Sequence, residues 1–230
     1  MIAVPIVAGN IEEALKQIEL ANTEADVIEL RLDFLPELSE RELERLIKKC
    51  SKPVICTCRR VEEGGMFRES EGKRISVLKN AVKLKADFID IEFETKAEAK
   101  KKFYEYAKNH KQSKIILSRH FFGLTPSLEE LSRLLNKMAK EKPYAIKIVS
   151  RANTLEDNKI IFSLLKEAKK KGLRLIAFCM GQLGKDSRIL SMPLGGFLTF
   201  ASLGKGDESA DGQIPITEMK KIYAGLRVMF

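Results

Sequence analysis

Short apolar runs alternate with longer amphipathic stretches from one end of the chain to the other. Eight runs rich in Val, Ile and Phe are bounded by polar or turn residues: 2–7, 26–32, 53–58, 87–93, 114–119, 144–149, 173–179 and 197–202. Runs of this length and composition predict β-strands. Between them apolar residues recur every three or four positions, the helical period. Asn10 is placed to cap "IEEALKQIELAN", with Glu13 close to the capping-box spacing, and "SERELERLIKKC" carries Leu43, Leu46 and Ile47 on one face. "RISVLKNAVKLK" and "AEAKKKFYEYAKN" follow the same rule, and "TPSLEELSRLLNKMAK" is expected to start with Thr125 as cap and Pro126 at the first helical position. "NTLEDNKIIFSLLKEAKKKG" ends in Gly172, a favourable residue just past a helix, and "ITEMKKIYAGLRVM" predicts the last helix.

Alternation of about eight strands with about eight helices predicts a parallel sheet. Nearly continuous apolar strands agree, because parallel strands are covered on both faces. Two closures remain: an open doubly wound sheet or a (β/α)8 barrel. "IVAGNIEE" follows the first strand and contains neither glycine-rich phosphate-binding pattern, which argues against a nucleotide-binding open sheet. No Pro/Gly/Ser-rich linker interrupts residues 1–230, so one domain is expected, and of the two closures the TIM barrel makes a checkable prediction.

In such a barrel chemistry collects at the C-terminal ends of the strands. The polar residues that interrupt the strands stand there. Glu29 and Arg31 alternate with apolar neighbours on strand two and so share one face, as a binding pair or as an ion pair inside the barrel. Strand three ends in Thr57 and Arg59, followed by "RVEEGG"; strand four carries Asp90, Glu92 and Glu94, the last read as solvated. Strand five ends in His120, whereas His110 sits near a helix C-terminus and reads as surface. Strand six holds Lys147 between Ile146 and Ile148. An unpaired ammonium there costs several kcal/mol, roughly, so the residue needs a reason. A desolvated amine near other cations binds its proton less tightly and can attack a ketone to form an imine. That imine acidifies the adjacent carbon, and His120 is one strand away to take the proton. Arg59 and Arg188 suit a carboxylate. The residues themselves lead to Schiff-base chemistry on a small carboxylated ketone.

Charge and composition narrow the alternatives. The formal charge is +9, from 41 Lys and Arg against 32 Asp and Glu, with 44% hydrophobic residues. The basic runs lie on Glu-rich helices without interleaved aromatics, which fits solvated helix faces and not a nucleic-acid partner. No apolar run approaches the roughly 20 residues of a membrane span, and nothing resembles a signal peptide, so a cytoplasmic protein is expected. Cys50, Cys56, Cys58 and Cys179 fit a reducing compartment; Cys56 and Cys58 would share a face as small buried hydrophobes rather than as a metal or redox pair.

The segments "VIELRLDFL", "CTCRRVEEGG", "LSRHFF", "AIKIV", "FCMGQLGKDSR" and "SADGQIP" occur in order across nearly the whole chain. Together they resemble the type I 3-dehydroquinate dehydratases of the shikimate pathway. The resemblance implies a cofactor-free and metal-free (β/α)8 barrel that converts 3-dehydroquinate to 3-dehydroshikimate by syn elimination, and it suggests a homodimer. By motif, Lys147 resembles the imine-forming lysine, His120 the general acid–base and Glu63 the carboxylate that orients it. Arg188 resembles the clamp on the substrate carboxylate, and Glu29, Arg31 and Arg59 the floor that binds ring hydroxyls. Ser209 and Gln213 match a closing loop, and Met180 and Phe200 the apolar walls. Phe178 stands where relatives often carry a second Met, and the loop "LGKGDESADGQ" looks long.

Two rivals differ in class. A Schiff-base aldolase shares the lysine chemistry; on a sugar phosphate it needs a phosphate site after strands seven and eight, for which "GKGDES" offers glycines. A nucleic-acid binder follows from net charge alone and explains neither Lys147 nor His120.

Overall fold

The computed structural model describes residues 1–111 and 113–229. Eight strands are present: β1 (Ile2–Ile6), β2 (Val27–Arg31), β3 (Val54–Thr57), β4 (Phe88–Glu92), β5 (Lys114–His120), β6 (Ala145–Arg151), β7 (Leu175–Met180) and β8 (Thr199–Phe200). Each pairs in parallel with its chain neighbours, and β8 returns to β1. The remaining seam, between β7 and β8, is bridged where the Phe197 N–H donates to the Leu175 carbonyl at 2.8 Å. The result is the (β/α)8 barrel.

The helices are α1 (Ile11–Glu24), α2 (Glu40–Lys49), α3 (Glu71–Lys83), α4 (Ala97–His110), α5 (Leu128–Lys140), α6 (Glu156–Lys170), α7 (Lys185–Leu190) and α8 (Ile216–Met229). Asn10 caps α1 through the Glu13 N–H, and Ser39 forms a full capping box with Glu42. Gly172 follows α6 in the left-handed region, at φ 66°. Thr125 does not cap α5. Ser127 does, in a capping box with Glu130, while the Thr125 hydroxyl donates to the Arg151 carbonyl at 2.8 Å. Ser127 wins because only it has a Glu three residues on to satisfy its own N–H. α3 starts at Glu71 instead of Arg74, capped by Ser70. α7 is a helix the periodicity did not reveal, since six residues are too few to display one.

Strand eight is shorter than the apolar run implied. Met1 and Ala3 accept the Thr199 and Ala201 N–H groups. The next residue of β1 on that side is Pro5, which has no N–H to donate, so the ladder stops and the chain is released into the loop after Ala201.

Two apolar layers hold the molecule. The larger lies between barrel and helices; Cys56 and Cys58 belong to it, both buried and both pushed up in pKa by that burial. The smaller fills the lower barrel with Val27, Ile55, Phe88, Ile116, Ile176 and Leu198. Above it the inward positions become polar.

Candidate active site

Inward positions alternate along each strand, so two residues above the lower layer come Glu29, Thr57, Asp90, Ser118 and Lys147. They form one network. The Lys147 ammonium lies 3.1 Å from Asp90 Oδ2 and 3.5 Å from Glu29 Oε1, and 4.4 Å above the Phe200 ring. Glu29 Oε1 also accepts the Thr57 hydroxyl at 2.8 Å. Asp90 accepts from Ser118 at 2.6 Å and pairs with Arg59 at 2.7 Å through the oxygen that faces Lys147. The charges in contact with Lys147 are therefore carboxylates, and the neighbouring cation Arg59 is held across a shared Asp90. Burial alone would raise the Asp90 carboxyl, but Arg59 and Lys147 outweigh it and keep it well below the usual carboxylate range.

Arg59 is itself buried and spends its donors on the protein: Asp90, the Ser118 hydroxyl at 2.7 Å and Glu92 at 3.1 Å. Glu92 hands the network on to the buried Arg74 of α3. Arg31 turns away from Glu29 and grips Asp33 with two parallel hydrogen bonds, 2.9 and 2.7 Å. A single 3-10 turn, Leu32–Phe34, folds Asp33 back beside it. The Glu29–Arg31 ion pair is thus absent, and both side chains still line the cavity. Glu94 is exposed, and so is His110.

His120 ends β5. Its Nδ1 lies 2.9 Å from Glu63 Oε2, and the same oxygen accepts its backbone N–H at 3.0 Å. Arg119 holds the other Glu63 oxygen at 3.0 Å. Glu63 sits in a single 3-10 turn, Val61–Glu63, closed by Gly64 in the left-handed region at φ 76°. A side chain at Gly64 would strike the Phe122 ring, which stacks near His120. With Nδ1 directed at a carboxylate, Nε2 is the nitrogen free for chemistry. Burial first, then the Arg59 and Lys147 cations, hold the imidazole well below its ordinary pKa, so it stands neutral as a base.

Arg188 is the exception to this pairing. It is fully buried, stacked 4.3 Å from the Phe178 ring, and its Nε and Nη1 have no hydrogen-bond partner among the described residues. Its Nη2 lies 3.5 Å from the Asp211 carbonyl. Burial lowers its pKa to about 10. A buried guanidinium with empty donors marks the place of an anion.

These side chains share a cavity of about 200 Å3 with Ser209, Gln213, Met180 and Phe200. The Gln213 amide oxygen accepts the Ser209 N–H at 2.7 Å, which fixes the register of the roof. All eleven residues singled out in the sequence line this one cavity. Sequence reasoning missed Asp90 as the partner of Lys147, and Asp33, Arg151 and Asp211. Asp90 carried a signal, an acid at an inward position of an apolar strand; Asp211 in an irregular loop carried none. No group of three or more His, Cys, Asp or Glu placed to hold a metal occurs among the described residues.

A family model described as type I 3-dehydroquinase matches residues 2–229. The 3-dehydroquinate dehydratase of Methanocaldococcus jannaschii is 36% identical over 224 residues, 97% of each chain. That of Desulfotalea psychrophila is 36% identical over 200 residues, 87% of each chain. A crystal structure of type I 3-dehydroquinate dehydratase from Clostridium difficile, with covalent modified comenic acid, superposes with a TM-score of 0.91 at 26% identity. It covers 100% of this chain and 92% of that one. KGPDC from Streptococcus mutans, at 16% identity and a TM-score of 0.61, shares the fold alone. With the family model spanning nearly every residue, and the barrel and its polar mouth in place, this chain belongs to the type I 3-dehydroquinase family.

Proposed function

We propose that the protein dehydrates 3-dehydroquinate to 3-dehydroshikimate, in the shikimate pathway, by syn elimination through an imine on Lys147. The observation that carries the reading is the meeting of three groups in one small cavity: a buried amine, a neutral histidine oriented by a carboxylate, and a buried guanidinium with unfilled donors.

Arg188 takes the substrate carboxylate. Glu29, Arg31 and Arg59 face the ring hydroxyls, Met180 and Phe200 the ring, and Ser209 with Gln213 close over it. The Lys147 nitrogen adds to the C3 carbonyl carbon, two of its three ammonium protons pass to the carbonyl oxygen, which departs as water, and the third stays on the protonated imine. Asp90 and Glu29 stay beside this nitrogen and balance its positive charge. His120 Nε2 removes the C2 proton, and the electron pair moves into the imine to give an enamine. The pair then returns to expel the C1 hydroxyl, which leaves as water with the proton His120 has just taken. Water hydrolyses the imine and frees Lys147, so the sum is the loss of one water. Glu63 keeps the imidazole in the tautomer this cycle needs. The cycle calls on no cofactor.

Borohydride added during turnover of 3-dehydroquinate should reduce the imine to a stable adduct. Mass spectrometry is expected to place it on Lys147 and to find none in Lys147→Ala, whose turnover should drop by about a thousandfold or more. Turnover without an adduct would remove the imine; neither turnover nor adduct would remove the activity. A cytoplasmic homodimer goes with this reading, and light scattering at twice the chain mass is its test.

A further inference from the structure

The roof of the cavity is a loop whose two ends are pinned and whose tip is held at one point. At its base Ser202 pairs with Pro215, and the Ser202 N–H donates to the Ile214 carbonyl at 3.0 Å. Between these ends, the hydrogen bonds that residues 203–211 make to the body of the barrel all run through Asp211, among the described residues. The Asp211 carbonyl accepts the Gly181 N–H at 3.0 Å and faces Arg188 Nη2 at 3.5 Å. Its carboxylate accepts from Arg151 Nη2 at 3.2 Å. Gly212 fits against the Gly181 carbonyl so closely that a Cβ would collide with it. Other contacts of the tip, Ser209 with Gln213 and Gly206 with Glu208, stay within the loop.

Arg151 is the last residue of β6, at the inward position two steps above Val149 and four above Lys147. The Arg151–Asp211 pair therefore ties the roof to the strand that carries the lysine, while the Asp211 backbone rests on the clamp Arg188. We propose that Asp211 and Arg151 form a latch: a positioning pair that holds the loop closed over bound substrate and keeps Arg188 aligned, without touching the reacting atoms. The pair is 41% and 47% exposed, and ion pairs of that exposure are weak. Weakness suits the role. A latch must release with every product, and a deeply buried pair would hold the roof shut. The proposal rests on the dehydratase reading for its substrate and on the loop geometry alone for its mechanism.

Two measurements separate the parts. The first is steady-state kinetics on 3-dehydroquinate with Asp211→Asn, Arg151→Met, and the exchanged pair Arg151→Asp with Asp211→Arg. Each single variant should raise KM about 2- to 5-fold with a smaller change in kcat, and the exchanged pair should recover most of that loss. The second needs no turnover. Lys205 is exposed in the loop, so a protease specific for lysine should cut there faster in either single variant than in the wild type, and slow again in the exchanged pair. Unchanged KM and unchanged cutting in the single variants, or an exchanged pair that behaves as the sum of the two, overturns the latch. Loss of the dehydratase reading would instead appear as absent turnover in the wild type, with the proteolysis result still deciding the latch.

Discussion

The two halves of the barrel interior are built by the same strands with the same inward parity, and they do opposite things. The lower half is a closed apolar plug. Phe88, Tyr144 and Phe197 meet there with ring centroids 5.8 to 6.3 Å apart, over Val27, Ile55 and Ile116. Two residues higher on each strand the inward side chains are Glu29, Thr57, Asp90, Ser118 and Lys147. The lower half gains free energy from every residue it buries. The upper half holds charges out of water, at a cost of several kcal/mol, roughly, for each one left unpaired. It limits that cost by alternating signs: Arg59 answers Asp90 and Glu92, Lys147 answers Asp90 and Glu29, and Glu63 answers Arg119. Among these charged groups Arg188 departs from this pairing, with Nε and Nη1 unmet among the described residues.

The comparison can be broken from either side. Phe88→Ala should cost about 3–5 kcal/mol of stability by opening a cavity in the plug, while kcat and KM at a permissive temperature stay near wild type. Chemical denaturation with assays alongside checks this, and a large kinetic effect would deny that the halves are separable. Arg188→Met should do the reverse. We expect KM to rise about 10- to 100-fold, the worth of charge-assisted hydrogen bonds, with a thermal midpoint no lower than wild type because an unpaired buried cation has gone. A clear drop in the midpoint would make Arg188 a structural residue. The smallest effect concerns pH. His120 is held well below 6.5, by burial first and the Arg59 and Lys147 cations next. In the unfolded chain it titrates near 6.5, so between the two values the unfolded state binds the extra proton. Stability is then full above about 6.5 and falls on acidification by at most about 1.4 kcal/mol per pH unit. The same shift puts the acid limb of kcat/KM below 6.5; a limb at or above that value would mean that the base is not this histidine, or not in this environment.

Much of this was readable in the chain. Lys147 declares itself as a charge inside an apolar run, period-two alternation puts Glu29 and Arg31 on one face, and Arg59 stands at the end of strand three. Partners were harder. Glu29 and Arg31, two apart on one strand, suggest each other, yet a 3-10 turn brings Asp33 to Arg31 and leaves Glu29 for Lys147. Asp90 meets Lys147 across 57 residues of sequence, a neighbourhood set by barrel stagger and by no local pattern. The rule for Pro at the first turn points to Thr125 as the start of α5, and the complete capping box beginning at Ser127 overrides it. The grip of the roof on Arg151 rests on one loop carboxylate with no periodicity around it.

The brevity of β8 has a consequence in time. Its register joins Ile2 to Thr199, the two ends of the sheet, about 200 residues apart along the chain. A contact of that span is among the last to form, since the intervening chain must be ordered first. Phe200, the ring against the Lys147 ammonium, arrives on that strand, and the roof loop follows it. Until that strand is in place, the face of Lys147 that the Phe200 ring covers stays open to solvent. Closure of the last seam covers the ammonium and sets the roof loop over the cavity in one event, so the cavity is complete only as the barrel finishes folding.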